Sequence, residues 1–157
     1  MLHPAPTTKL DPTLTRATVL GVTEPTEVKP AYALLGFPNT DYKIHLEAGD
    51  DLDRFRDHTG QMVLCSVHIT ARRVDETSAG GRCIDPCMGT PRRVQGTVHA
   101  IDPGSNTLVV NVGPGFNVRL TLGAPGQRAE DFADAEFITC DVMPGAAARF
   151  RARYRAG

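Results

Sequence analysis

The chain is 157 residues long, 41% hydrophobic and 22% charged, with 17 basic and 18 acidic residues and a formal net charge of −1. That length bounds it to one sizeable domain or two small halves sharing a core. The balanced charge excludes a global attraction to nucleic acid or an anionic membrane, though not a local patch.

Fifteen glycines and twelve prolines predict many turns and short strands. Three tyrosines, six phenylalanines and no tryptophan argue against large stacking platforms. The first eight residues carry neither a charged n-region nor an apolar h-region, so no secretory signal is expected. No apolar run approaches the ~18 residues that a membrane span needs. The expected address is cytoplasmic, with the four cysteines as reduced thiols.

In chain order, residues 1–15 read as an extended arm rich in proline and threonine. Residues 16–23 are β-branched and predict a first strand. A turn region follows, then an apolar run over 31–37. Residues 42–46 alternate cleanly, with Tyr42, Ile44 and Leu46 inward and Lys43 and His45 outward. The acidic stretch 49–60 spaces Leu52 and Phe55 three apart, which suits one or two turns of helix. A long strand runs over 61–72. Residues 75–91, with Gly80, Gly81, Pro86 and Pro91, read as a linker. The second half starts with a strand from Arg92, then a turn at 102–106, strands over 108–112 and 116–122, a short helix over 124–135 and a strand over 136–142.

Residues 61–67 and 136–142 read as one strand written twice. Val63, Cys65 and Val67 share one face of the first, and Ile138, Cys140 and Val142 share one face of the second. Other matches keep the same order. Val19 and Gly21 match Val94 and Gly96; Tyr42, Ile44 and Leu46 match Phe116, Val118 and Leu120; Gly49 matches Gly123; Phe55 matches Phe132. A repeat over 16–74 and 92–157 follows, whose units of ~60 residues bury too little alone and should share surface.

The fold class expected is therefore mostly β, with two repeats of strand, strand, strand, short helix, strand. That order resembles an OB-fold barrel, either as tandem barrels or as a single pseudo-twofold barrel. The first half lacks a clear fifth strand after Arg72, while residues 148–155 offer one to the second half. The resemblance implies ligand binding, to oligonucleotides or oligosaccharides, on the face of strands two and three and the adjoining loops.

The C-terminal segment alternates without a fault. As a strand it sends Arg149, Arg151, Arg153 and Arg155 to one face and Phe150, Ala152 and Tyr154 to the other. Same-face side chains then stand roughly 6.6 Å apart. Such a row follows a single-stranded backbone, and Phe150 and Tyr154 stack on bases if they are not buried. The plainer reading is an edge strand protected by its charges. Arg72, Arg73, Arg82, Arg92 and Arg93 extend the row into a patch, with Asp75, Glu76 and Asp85 placed to neutralise it. The acidic cluster Glu47, Asp50, Asp51, Asp53 and Asp57 lacks the ligand spacing of a calcium loop and reads as a solvated helix face.

Cys83 and Cys87 have the spacing of half a zinc site, with His68, His99 or Asp85 as further ligands. The same spacing suits a small disulfide loop or two free loop thiols. Cys65 and Cys140 point into the core and are poor nucleophiles or ligands. There is no glycine-rich phosphate loop, no Gly-x-Ser-x-Gly elbow and no His-Glu-x-x-His.

The sequence thus points to a non-enzymatic binding or assembly module without a cofactor, whose partner is another protein or a second copy. One alternative is a binder of single-stranded nucleic acid through Arg149, Arg151, Arg153, Arg155, Phe150, Tyr154, Arg92 and Arg93. Another is a small zinc- or thiol-dependent module centred on Cys83 and Cys87. No membrane partner is expected.

Overall fold

Alternating apolar and polar side chains become strands wherever one face can be buried, and here that gives a mostly β protein. The computed structural model describes residues 13–78 and 81–155; of the expected arm, residues 1–12 lie outside these. β1 (Thr15–Thr23), β2 (Tyr32–Gly36) and β3 (Lys43–Glu47) form an antiparallel meander. A 3-10 turn (Gly49–Asp51) and α1 (Leu52–Asp57) lead into β4 (Met62–Thr77). β5 (Cys83–Asp85) and β6 (Met88–Gly89) are short. A second meander, β7 (Arg93–Asp102), β8 (Thr107–Gly113) and β9 (Phe116–Leu122), is followed by a 3-10 turn (Ala129–Phe132), β10 (Phe137–Val142) and β11 (Ala147–Arg153). Among the described residues no helix is long and apolar enough to cross a membrane.

The sixteen residues of β4 organise the sheet. Its first half, Met62 to His68, pairs with β1 on one side and β11 on the other. Its second half, His68 to Thr77, pairs in parallel with β9 and antiparallel with β10. Two hydrogen-bonded circuits result. One runs β1, β2, β3, β11, β4 and back to β1, its β3–β11 link being the single parallel pair Glu47–Ala147, supported by the Glu47 amide donating to the Ala146 carbonyl at 2.9 Å. The other runs β7, β8, β9, β4, β10 and back to β7.

The inward phase expected for the two cysteine strands holds. Val63, Cys65 and Val67 are fully buried, and Ile138, Cys140 and Val142 are buried. Each fully buried Val or Ile side chain contributes roughly 1.5–3 kcal/mol relative to exposure, which is what fixes strand phase. The core is one connected apolar cluster that reaches from Leu35, Ile44 and Phe55 to Leu108, Leu120 and Ile138. Phe37 and Phe116 stack across the two circuits with ring centroids 3.8 Å apart. β8 is buried along its whole length, as its nearly unbroken apolar run requires. Gly96 on β7 is needed there, because a Cβ would lie 2.2 Å from the Asn111 carbonyl oxygen.

Three elements differ from expectation. The helix expected over 124–135 is only a 3-10 turn, because Pro125 and Gly126 interrupt it and Gly126 takes φ of +82°. Within the stretch read as a linker, β4 continues to Thr77, and β5 pairs with β7 while β6 pairs with β3. The C-terminal strand serves the first circuit and not the second. Residues 68–71 of β4 already occupy the parallel edge of β9, so β11 fills the slot between β3 and the first half of β4.

Candidate functional site

The alternation of the C-terminal segment puts Arg149, Arg151, Arg153 and Arg155 in solvent. A bulge between Phe150 and Ala152 leaves Arg151 without a register partner on β4, a device that re-aims a side chain. Phe150 turns inward. Its ring meets Phe55 edge-on at 5.6 Å and lies 4.8 Å from the His58 ring, so it is packing and not a stacking platform. Tyr154 is half-buried beneath Arg16, whose guanidinium carbon lies 5.4 Å from the ring centroid and whose Nη1 donates to the Tyr154 hydroxyl at 3.3 Å.

At His68 the long strand changes partners. Ala147 of β11 and Arg119 of β9 are both its register neighbours. The crossing brings Arg149 and Arg151 from β11, Arg119 from β9 and Arg54 from α1 around one cavity of about 330 Å³. Ser66 and Asp51 also line it. Asp51 is the single carboxylate in this lining, and it is engaged. One oxygen accepts the Phe150 amide at 2.9 Å, and the other lies 3.9 Å from Arg54. Arg119, Arg149 and Arg151 form no ion pair among the described residues, although Asp102 feels the charge of Arg119.

Ser66 Oγ and His68 Nε2 are 2.7 Å apart. Burial, then the charges of Arg149 and Arg119, push the His68 pKa down to about 4. The distance suits a nucleophile and its base, but a base that weak provides little driving force near neutral pH. The pair is better understood as neutral hydrogen-bonding groups, Ser66 lining the positive cavity and His68 held beside it.

Arg93 lies elsewhere. With Arg72 and Arg73 it lines a second cavity of about 380 Å³ that also holds Asp75 and Asp141. Arg73 Nε is 3.3 Å from Asp75, and Arg93 Nε donates to Thr139 Oγ1 at 3.2 Å. This cavity is close to balanced. Arg92 is exposed, and its backbone amide donates to the Asp85 carbonyl at 2.9 Å.

Cys83 is half-buried on β5, and Cys87 is exposed, its thiol donating to the Asp41 carbonyl at 3.2 Å. Both line a cavity of about 380 Å³ with Tyr42. The Tyr42 hydroxyl accepts from the Ile84 amide at 3.0 Å and donates to the Val112 carbonyl at 3.4 Å, and burial raises its pKa. All four cysteines are free, and burial pushes the thiols of Cys65 and Cys140 up to about 12. Among the described residues no three His, Cys, Asp or Glu side chains converge to hold a metal ion.

Arg54, Arg119 and Ser66 are the residues that sequence reading misses, and it offers His68 only as a further zinc ligand. Ser66, His68 and Arg119 leave no signal beyond outward phase on their strands, which many solvated residues share, and Arg54 none beyond its place in an acidic helix. Compared with known proteins, the chain matches no family model, no curated protein sequence and no solved structure.

Proposed function

We propose that this protein is a non-enzymatic binding module built as a repeated, OB-like barrel, and that its partner is single-stranded nucleic acid. The carrying observation is the cavity at the crossing of β4, where four arginines face one already engaged carboxylate. Strand order supports the reading too. In each circuit three antiparallel strands are followed by a helical turn and a fourth strand, and the stave closing the ring runs parallel to the third. OB-like barrels of this order bind oligonucleotides. Arg151 and Arg153 on β11 and Arg155 just beyond it are exposed and extend the basic surface from the cavity. Phe150, packed on Phe55, takes no part in stacking, so affinity should come from phosphates and depend steeply on salt.

The test is a salt titration of binding to short oligo(dT) and oligo(U). Affinity is expected to fall with a slope of roughly −0.7 per phosphate contact. Arg149→Gln and Arg151→Gln should each reduce that slope by about one contact. Absence of binding at low salt to either oligomer removes the reading.

A second reading, a protein partner or a second copy, is favoured by one separate observation. A groove of about 460 Å³ is lined by Phe37, Met62 and the exposed Leu20 and Met88, the last two 42% and 64% exposed. Apolar side chains gathered in this way on a surface commonly mark contact sites.

A further inference from the structure

The cavity at the β4 crossing has properties that a plain strand-tracking groove does not need. It is walled by separate stretches of chain: the turn and helix carrying Asp51 and Arg54, β4 at Ser66, β9 at Arg119, and β11 at Arg149 and Arg151. Its volume of about 330 Å³ lies at the small end of the range for small-molecule sites, roughly 300–1,000 Å³. A cavity of that size holds a compact group such as a phosphate together with part of what carries it.

The charge points the same way. An internal phosphodiester carries one negative charge and two free oxygens. A phosphate monoester carries nearly two charges and three strong acceptor oxygens. Arginine forks bind such oxygens bidentately, through donors that stay charged at every relevant pH. Here Arg119, Arg149 and Arg151 have donors not committed to any ion pair among the described residues. The Ser66 hydroxyl adds a neutral hydrogen-bonding group beside them. Three such arginines exceed what one diester can neutralise and come nearer to balance with one monoester.

We infer that this cavity seats a phosphate monoester, carried by a mononucleotide or by the phosphorylated end of a strand, in preference to an internal phosphodiester. The preference for a strand end rests on the nucleic-acid reading above; the monoester chemistry itself does not.

The experiment compares four ligands at low salt: inorganic phosphate, thymidine 5′-monophosphate, and one oligo(dT) with either a 5′-phosphate or a 5′-hydroxyl. Titration calorimetry serves the small ligands and fluorescence anisotropy the oligomers. The 5′-phosphorylated oligomer should bind at least roughly tenfold tighter than its hydroxyl twin, about the effect of one charge-assisted hydrogen bond. Arg119→Gln should erase that difference, weakening the phosphorylated oligomer more than its hydroxyl twin. If Arg119→Gln proves unstable, Arg119→Lys keeps the charge, loses the fork and should still weaken the preference.

Equal binding of the two oligomers overturns the inference and leaves the nucleic-acid reading standing. If neither oligomer binds but thymidine monophosphate does, and Arg119→Gln abolishes it, the nucleic-acid reading falls and the monoester site stands. Binding of inorganic phosphate alone, with no gain from the nucleoside, assigns the site to free phosphate and not to a strand end. No monoester binding at all, or binding indifferent to Arg119→Gln and Arg149→Gln alike, overturns the inference.

Discussion

His68 shows how a single side chain registers its surroundings. It sits where β4 exchanges β11 for β9, with Arg149 and Arg119 on either side, and its pKa is pushed down to about 4 by burial first and by those two charges next. In the unfolded chain its pKa returns to about 6.5. Between these values the unfolded state binds more protons, so His68 contributes stability above pH 6.5 that is lost as the pH falls towards 4. Urea denaturation at several pH values should show wild type losing stability across that window more steeply than His68→Gln. Parallel profiles would mean that His68 titrates normally. The acidic groups act on both proteins alike, so the difference isolates the histidine. The sequence shows that His68 faces outward on its strand, but its company comes from residues about 50 and 80 positions away. That company is set by pairing, which alternation does not encode.

At the scale of elements, β11 is the revealing one. Its alternation is plain in the sequence, and the exposed arginine row follows from it directly. Its place is not. Two strands of suitable phase, β11 and the end of β4, are available to complete two circuits, and which serves which depends on where β4 runs after His68. The sequence reading ends that strand near Arg72, because a double arginine followed by polar residues breaks the apolar pattern. In the fold, Arg72 and Arg73 point out while Val74 returns to the core.

Deleting residues 147–155 should therefore damage the N-terminal circuit, whose β3 and β4 edges β11 covers. An unpaired edge of this kind invites aggregation. The truncated protein is expected to lose its sharp thermal transition, and a synthetic peptide of residues 145–155 should restore it in part. A truncation that melts as sharply as the full chain would show β11 to be an accessory strand. The short acidic helix was half legible for a similar reason. The spacing of Leu52 and Phe55 locates α1, but its place is set by packing on β1 and β2 and by the meeting of Phe55 with Phe150, which the spacing does not encode.

For the whole molecule, the two circuits share β4 and one apolar cluster, and the Phe37–Phe116 stack joins them. Neither circuit has a complete set of staves from its own stretch of sequence. They should unfold together. Tyr32 and Tyr154 lie on the side of the first circuit and Tyr42 at its joint with β8 and β9, whereas far-ultraviolet dichroism reports both circuits throughout. Coincident denaturation curves by tyrosine fluorescence and by dichroism are expected. Separated midpoints would make the circuits independent.

The same exchange of staves has a consequence for how the protein is made. The ring that begins at Thr15 is completed by β11, which ends at Arg153. On a ribosome adding ~5–20 residues per second, the stretch from the end of β4 to the end of β11 takes roughly 4–15 s to synthesise. Throughout that interval the nascent N-terminal half holds an open edge on the first half of β4. Its first ring closes only when almost the last residue described here has left the exit tunnel.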